Sequence, residues 1–571
     1  TSTVTFNGTG AQAVNSSTTW YNLSITASAA RTITFTAATT QTIATSGSAT
    51  LTGVAANLLT LQSGTALSDW NFAIPVASTR TVDYTAAIDA NATDSAVVAT
   101  NSTCLRTTNW TCPSSGFSLG GTVYGTDETT LVATGPTVRV KVDGAGTYSA
   151  TANGSGVFSV GSISMSAGNS LTVYLDTGGG ISGATFSVST GANMTGINIY
   201  QDRAATRCDN SCSLTSVDIN DWDKDNDADI HAAAAVTTNI LTVDNDWKLK
   251  VAANTYAPGA SVITSPGGVN AYSGDVAIET GTTLNMAGNA LSIGGSYNNS
   301  GTFTSTSNTT TFTDTGTGET LDGTMTGSSS FYNLIFNGSG GEWTPSAAVV
   351  VTNDLTMTAG SLLGAQNVTV NGNIACGATC GAITTTGGTF TQRVNGSKNF
   401  GTSVAGATVW TFVNLTFSNS TLATAVTITT STTGSGGITI SGVLTVGSAG
   451  DTTKTTLNAG NRTWTLSNTD GADPFQLIAS PAGDLTPATS TFVYSGDNNV
   501  GSVTVQSETF CNLTVGNAVA GETYVLEAAT ATDTAASCGN LTISSAAIST
   551  NTLDVVNGSN YAVSIGGNYT N

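Results

Sequence analysis

Basic residues and histidine are scarce in this sequence. The 571 residues include 14 Lys and Arg, 35 Asp and Glu and a single histidine, His231, and the formal net charge is -21. Binding a nucleic acid requires clustered cations that displace the counterions of the phosphate backbone, so the composition predicts no nucleic-acid partner. Carboxylates are therefore the main side chains available for acid–base catalysis, and some glycosidases do use carboxylates alone. The sequence therefore predicts a protein that is not an enzyme.

Long apolar runs and helical periodicity are also missing. No run is long enough to span a bilayer, which predicts no membrane span, and no window sustains a 3.6-residue apolar period. The chain is rich in Thr, Ser, Ala and Asn, with 65 glycines and only 9 prolines. Apolar and polar residues alternate in many short runs, such as residues 138–142 and 171–175. Since alternation is typical of half-buried strands, the chain is predicted to be nearly all β.

Eight cysteines occur in close sequential pairs. An even count in such a chain predicts four local disulfides, which are typical of extracellular proteins. A zinc site is the weaker interpretation, because no pair has a second cysteine or histidine pair at a suitable spacing. The chain begins at Thr1 instead of methionine, from which we expect either a removed targeting segment or a longer precursor. The predicted pairs are Cys104 with Cys112, Cys208 with Cys212, Cys376 with Cys380, and Cys511 with Cys538.

Internal similarity is the most informative feature of the sequence. A Thr-rich run ending in Phe, then a Gly-containing turn and an Asn-Leu pair, occurs at Asn22 and again at Asn333, with looser copies at Asn414 and Asn512. Short strands separated by Gly and Asn can stack as a parallel β-solenoid, in which each coil buries its apolar face on the next. A string of β-sandwiches is the rival interpretation.

The repeat pattern is interrupted between residues 117 and 203. Strands there are longer and alternate cleanly, with turns at Asp143-Gly144 and Asn153-Gly154 that are typical of antiparallel hairpins. The predicted fold is an all-β parallel solenoid interrupted by an antiparallel sandwich of immunoglobulin or transthyretin type. The predicted segments are a solenoid part at 1–116, a sandwich insertion at 117–203, an acidic junction at 204–260 and a second solenoid part at 261–571.

Two resemblances support this division. The segment 153–160, Asn-Gly-Ser-Gly-Val-Phe-Ser-Val, followed by 171–175, resembles the carboxypeptidase-regulatory or transthyretin-like sandwich. The flanking sequence resembles repetitive bacterial surface proteins of the right-handed parallel β-helix type. The resemblance covers about the first 200 residues, implies a secreted or wall-associated protein and supplies no catalytic residues. The residues that carry it are 51–61 (Leu-Thr-Gly-Val-Ala-Ala-Asn-Leu-Leu-Thr-Leu), Asp69-Trp70-Asn71, Val82-Asp83-Tyr84, Asn101-Ser102-Thr103 and Asn109-Trp110.

An acidic run in the junction is a possible calcium site. Carboxylates at every second position could converge on one Ca²⁺, which takes six to eight oxygen ligands. The run is not an EF-hand, because Asn226 replaces the glycine of that loop and Ala232 its final glutamate. The alternative is a solvated acidic loop. The predicted ligands are Asp221, Asp223, Asp225, Asp227 and Asp229.

Asn-X-Ser/Thr sequons are frequent, and many would arise by chance in a chain this rich in Ser and Thr. They nevertheless make glycans possible partners. The glycosylation candidates are Asn22, Asn91, Asn109, Asn367, Asn414 and Asn512.

The two ends of the sequence match one internal stretch. Residues 564–571 resemble residues 292–299, and the internal stretch then reaches Thr309-Thr310-Thr311-Phe312, which the run Thr3-Val4-Thr5-Phe6 resembles. The contact would therefore join Thr3, Val4, Thr5 and Phe6 of one copy to Ser564, Ile565 and Tyr569 of another. We expect an extracellular structural protein that polymerises head to tail with itself into a surface filament or layer. The alternatives are an adhesin stalk or carbohydrate-binding surface protein, and a polysaccharide-degrading β-helix enzyme. The match between the two ends has its own alternative, which is covalent continuity in a longer tandem array.

Overall fold

A computed structural model provides the structure of this chain. The described residues are 2–54, 57–112, 117–133, 135–209, 212, 214–376, 379–402, 408–420, 424–430, 436–451, 453–469, 473–478, 483–497, 501–517, 521–527, 530–532, 538–544, 550–556 and 561–571.

Strands dominate the fold. Strands hold 53% of the residues and helices 2%, which confirms the prediction of a nearly all-β chain. The large sheets are parallel, an arrangement compatible with a β-helix or solenoid-like fold. Contacts divide the chain into two units, one of residues 1–181 with 187–201 and the other of residues 182–186 with 202–571. The finer division into four segments stays a prediction.

The first part of unit 1 is a set of parallel strands. The sheet order is β1-β3-β5-β7-β9-β6-β4-β2, with β8 added to β5 and β11 to β9, and β10 pairs separately with β12. Apolar side chains alternate along these strands, as in β4 and β6, and pack into one core. The strands are β1 Thr3–Phe6, β2 Gln12–Val14, β3 Thr18–Thr26, β4 Arg31–Phe35, β5 Thr40–Thr52, β6 Leu59–Ser63, β7 Trp70–Ala73, β8 Thr79–Asp83, β9 Thr85–Ala92, β10 Val97–Val98, β11 Thr103–Thr108 and β12 Trp110–Thr111.

The strands that follow include antiparallel pairs. β14 is antiparallel to both β15 and β17, while β13 is antiparallel to β16 and parallel to β19. Residues of both groups share a second apolar core that contains Val140, Phe158 and Val173. The strands are β13 Phe117–Tyr124, β14 Thr137–Val142, β15 Ala145–Thr151, β16 Val157–Ile163, β17 Ser170–Leu175, β18 Ala184–Val188 and β19 Ile199–Tyr200.

The two turns predicted for this segment differ. Asp143 and Gly144 have φ of 46° and 67° and connect β14 to β15 as a tight hairpin. At Asn153-Gly154 the chain leaves β15, which pairs with β14, and enters β16, which pairs with β13. The Asn153 side chain accepts hydrogen bonds from the N–H groups of Ser155 and Val157. This turn therefore connects two strand groups, which Asn-Gly composition alone cannot distinguish from a hairpin.

Unit 2 repeats short strands. Its elements, beginning with β20, are β20 Arg203–Arg207, α1 Ser216–Asn220, β21 Ala232–Ala234, β22 Leu241–Val243, β23 Lys248–Ala253, β24 Thr255–Tyr256, β25 Val262–Thr264, β26 Val276–Ile278, β27 Thr283–Asn285, β28 Leu291–Ile293, β29 Tyr297–Asn299, β30 Thr302–Thr304, β31 Thr309–Phe312, β32 Glu319–Gly323, a 3-10 helix Gly327–Ser329, β33 Asn333–Pro345, β34 Val349–Val351, β35 Leu355–Gly364, β36 Val368–Val370, β37 Ile374–Cys376, β38 Ala382–Thr385, β39 Thr389–Val394, β40 Lys398–Thr402, β41 Trp410–Phe412, β42 Asn414–Asn419, β43 Val426–Thr430, β44 Ile438–Ile440, β45 Leu444–Val446, β46 Thr455–Asn458, β47 Thr463–Leu466, β48 Phe475–Leu477, β49 Gly483–Thr486, β50 Thr491–Tyr494, β51 Val503–Val505, β52 Thr509–Phe510, β53 Asn512–Val515, β54 Thr523–Leu526, β55 Thr530–Thr532, β56 Leu541–Ile543, β57 Thr552–Asp554, β58 Val563–Ser564 and β59 Tyr569–Thr570.

Pairing in unit 2 is parallel and usually skips two strands. One ladder follows the order β38-β41-β44-β47-β50-β53-β56-β59, and another follows β34-β36-β39-β42-β45-β48. β21 and β22 form an antiparallel pair. Aromatic rings on successive strands stack inside, as Phe312 on Phe336 at 5.4 Å and Trp464 on Phe492 at 5.9 Å between ring centroids. The stacking of identical residue classes on successive strands gives each strand an apolar inner face.

Candidate functional site

The four Asn-Leu motifs occupy one recurrent position in the strand pairing. Each asparagine lies opposite a threonine that begins the preceding strand of its ladder, in a parallel register. The pairs are Asn22 with Thr3, Asn333 with Thr309, Asn414 with Thr389, and Asn512 with Thr491. The sequence repeat therefore corresponds to a repeated pair of hydrogen-bonded parallel strands, which we call a rung. The pairing of β1 with β3 is equivalent to the pairing of β31 with β33.

The strand edge at β1 is the first of the two edges that the predicted head-to-tail contact involves. β1 lies at the outer position of its sheet, with β3 as its partner in the described structure. Val4 is 40% exposed, and Phe6 packs edge-on against Trp20 at 6.0 Å between ring centroids. The buried Arg31 guanidinium donates to the Phe6 carbonyl (2.9 Å) and to the Gln12 side chain. Arg31 therefore connects the end of β1 to β2.

The second edge lies at β57, β58 and β59. Each is the last strand in its sheet order, paired with β54, β55 and β56 respectively. Ile565 is 38% and Tyr569 54% exposed. Their internal matches, Ile293 and Tyr297, are fully buried. The same residue types are thus covered inside the stack and uncovered at its edge.

The internal match also shows what covers these side chains. β28 pairs in parallel with β31, so that Ser292 lies opposite Thr311 and Ile293 opposite Phe312. Tyr297 packs edge-on against Phe312 at 6.5 Å between ring centroids. β31 is the strand that β1 resembles in sequence. A strand that resembles β1 in sequence therefore pairs with β28 and contributes to the burial of Ile293 and Tyr297.

The acidic run lies in the loop that follows α1. Asp223 and Asp229 are buried, whereas Asp221 and Asp225 are exposed. The Asp223 carboxylate accepts hydrogen bonds from the N–H groups of Asp225 and Ala234, both at 2.9 Å. Burial raises the pKa of Asp223, and these hydrogen bonds lower it.

Metal ligation by this loop stays a prediction. Among the described residues, no group of three or more His, Cys, Asp or Glu side chains is arranged to hold a metal ion. Asp227 Oδ1 accepts a hydrogen bond from the Asp229 N–H (3.1 Å). The arrangement is that of a loop stabilised by its own aspartate side chains.

All eight cysteines are bonded in the predicted pairs: Cys104–Cys112, Cys208–Cys212, Cys376–Cys380 and Cys511–Cys538. Three of these disulfides close loops of 4 to 8 residues, and the fourth closes 27. The last one links two residues near successive rungs of one ladder, since Leu513 pairs with Leu541.

The glycosylation candidates lie in different surroundings, and their modification stays a prediction. Asn109 and Asn367 are exposed. The Asn22 amide donates to Thr3 Oγ1 (3.2 Å), the Asn414 amide to the Gly388 carbonyl (3.1 Å), and the Asn91 amide to Asn71 Oδ1 (3.2 Å). Asn512 Oδ1 accepts from the Asn540 amide (2.8 Å). These four side chains hold neighbouring strands together.

A carboxylate pair that the sequence did not reveal lies along β26, β29 and β32. The Ser296 N–H donates to Asp275 Oδ1 (2.7 Å), and the Ser296 hydroxyl donates to Glu319 Oε2 (2.6 Å). Burial raises the pKa of Asp275 to about 7; the Glu319 charge also raises it, while the Ser296 N–H, Lys248 and Arg203 lower it. Burial likewise raises the pKa of Glu319. Asp275 can therefore hold a proton near neutral pH.

Sequence reasoning missed this pair because its members are isolated acids in separate strands. The only local signal is a polar residue placed just before, or at the start of, a short apolar strand, as at Asp275, Ser296 and Glu319. Most strands of the chain share that signal, so it does not single out these three.

Among the residues that the structure describes, no helix is long and apolar enough to cross a membrane. Comparison with known proteins gave no match: no family model, no curated protein and no solved structure is similar to this chain.

Proposed function

We propose that this chain is an extracellular structural protein, a subunit of a surface filament or layer whose copies join head to tail. The joining surfaces are the edge of β1 in one copy and the edge of β57, β58 and β59 in the next. The proposal includes the finer architecture: a parallel β-solenoid interrupted by an antiparallel sandwich. The four disulfides support an extracellular location, because such bonds persist in oxidising compartments.

The observation that carries the proposal is the contrast in exposure between matched residues. Ile565 and Tyr569 are 38% and 54% exposed, whereas Ile293 and Tyr297 are fully buried. Removing such apolar surface from water favours association. An unpaired strand edge also offers backbone groups that another strand can extend by β-augmentation.

The internal rung supplies a register for the contact. Residues 564–565 match residues 292–293 of β28. If β1 of a second copy pairs with residues 564–565 as β31 pairs with β28, Ser564 lies opposite Thr5 and Ile565 lies opposite Phe6. Phe6 would then contact Tyr569 as Phe312 contacts Tyr297. Because the two surfaces differ, the contact is heterologous and extends without limit unless the rotation closes a ring.

A register-specific crosslink tests this contact. The double variant Ser564→Cys with Thr5→Cys places two thiols opposite each other on adjacent parallel strands, within the Cα separation that a disulfide spans. All native cysteines are already paired. Mild oxidation should therefore give a ladder of subunit multiples on a non-reducing denaturing gel.

The matched control is Ser564→Cys with Thr3→Cys, in which one thiol moves two residues along the same exposed strand. This pair should crosslink far less, because two residues along a strand are about 7 Å. Equal crosslinking of both variants, or none in either, would overturn the proposed register. Wild-type protein that stays a single subunit at high concentration would overturn the polymer itself and favour an adhesin stalk.

A further inference from the structure

One buried arginine of unit 2 has no charged partner. The Arg462 side chain is 4% exposed and lies just before β47. Its Nη1 donates to the Gly436 carbonyl (2.9 Å) and its Nη2 to the Gly401 carbonyl (3.0 Å). In the described structure its Nε has no hydrogen-bond partner. Two carbonyls thus accept hydrogen bonds from part of this guanidinium, and neither carries a charge that would balance it.

In the part of the chain that the structure describes, no counter-charge contacts Arg462. No ion pair among the described residues includes Arg462. The segments 403–407 and 431–435, which lie close in sequence to the hydrogen-bond acceptors Gly401 and Gly436, contain no Asp or Glu. Burial lowers the pKa of Arg462, but a guanidinium stays protonated in proteins. A buried charge without a partner is strongly unfavourable.

Arg462 is one of the residues that line a cavity. Arg462 lines it together with Phe400, Thr408, Trp410 and Ile438. Its volume is about 10 Å³, which is room for roughly one water-sized species. The indole of Trp410 donates to the Gly381 carbonyl (3.0 Å), and Thr408 Oγ1 donates to the Cys380 carbonyl (3.3 Å). The cavity therefore combines apolar walls with one unbalanced positive charge.

We propose that this cavity binds a single small monovalent anion of the halide class on the Arg462 guanidinium. A charge-assisted hydrogen bond from Nε would satisfy the remaining donor, and the anion would balance the charge. Room for roughly one water-sized species suits a monatomic anion better than sulfate or phosphate. The proposal is independent of the assembly contact, since it concerns the interior of unit 2.

Chloride is the probe, and the full chain is the sample. Thermal melts in sodium chloride and in sodium gluconate at equal ionic strength separate anion binding from charge screening. Binding to the folded form alone raises the melting temperature as chloride concentration rises. The variant Arg462→Met should lose this chloride dependence. The control Arg393→Met removes an exposed arginine on β39 and should keep it.

A direct measurement covers the case in which Arg462→Met fails to fold. Wild-type protein should broaden the chlorine-35 resonance of dilute chloride, and added bromide should reverse the broadening by competition. No broadening of the chloride resonance by wild-type protein, or broadening that bromide leaves unchanged, would overturn the proposal. A melting temperature that is the same in chloride and gluconate would also overturn it and would indicate water in the cavity.

Discussion

At the residue scale, asparagine side chains connect successive strands of the parallel ladders. The Asn353 amide donates to Asn333 Oδ1 (2.8 Å), and the Asn540 amide donates to Asn512 Oδ1 (2.8 Å). Asn540 Oδ1 in turn accepts from the Asn568 N–H (3.1 Å). An amide has both donors and an acceptor, so one residue can bond to the strands on either side of it. Asn512, Asn540 and Asn568 thus occupy one position of successive strands, whereas Asn353 lies one residue before the counterpart of Asn333.

Asp275 makes stability depend on pH. Its pKa of about 7 in the folded chain lies above the ordinary value of 3.8, so the folded form binds a proton that the unfolded form releases. The resulting stabilisation is complete below about pH 4 and is lost as pH rises through 7. We expect the melting temperature to fall over that interval, and Asp275→Asn to make the fall shallower.

The control for Asp275 is Asp322→Asn on β32, outside the hydrogen-bonded group of Asp275, Ser296 and Glu319. Melting temperatures of the three proteins between pH 4 and 8 provide the measurement. If Asp275→Asn leaves the dependence of melting temperature on pH unchanged, Asp275 is not the source of that dependence. Glu319 retains part of the slope in every variant, because its pKa is raised as well.

At the element scale, the Cys511–Cys538 disulfide should be the most stabilising of the four. It closes a loop of 27 residues, against 4 for Cys208–Cys212. Loop-closure entropy predicts a loss of roughly 3–4 kcal/mol for the double Ala variant of the longer loop and about 2 kcal/mol for the shorter one. Denaturant unfolding of both variants measures the difference. A larger loss from the 4-residue loop would contradict an entropic origin.

The acidic loop after α1 gives a calcium prediction. If Asp225 and Asp227 ligate Ca²⁺, chelation should lower the melting temperature, because a hundredfold excess of ligand over Kd stabilises by about 2.7 kcal/mol. Asp225→Asn with Asp227→Asn should abolish the effect of chelator. Asp94→Asn, an exposed aspartate elsewhere in the chain, should preserve it. An identical wild-type melt with calcium and with chelator would refute the site.

Strands were predictable from the sequence where their pattern is local. Alternation predicted β14 and β17 closely, and the Asn-Leu motif marked a rung that the structure repeats four times. Partners across a ladder were not predictable, because a parallel rung joins residues that no local pattern links. Ser296 contacts Asp275 and Glu319 across 21 and 23 residues. The carboxylate pair therefore required the strand register.

At the scale of the whole molecule, removing residues 1–6 should prevent assembly. The deletion removes β1 and with it the strand that would cover Ile565 and Tyr569 of another copy. Negative-stain images and sedimentation of the variant should show single subunits. Val269→Asp adds a charge at a valine that is 91% exposed in unit 2 and should assemble normally. Fibres of normal length from the deletion variant would refute the contact.

The short sequence distance between paired strands of unit 2 has a consequence for synthesis. Leu291 pairs with Thr310, and Leu513 pairs with Leu541, so these two rungs need only the next 19 and 28 residues. At a translation rate of about 5–20 residues per second, a rung would be complete roughly 1–6 s after its first strand emerges. Folding can then proceed in the order of synthesis, with each finished rung as the template for the next. A growing chain of this kind would offer the edge of its newest strand to the strand that emerges next.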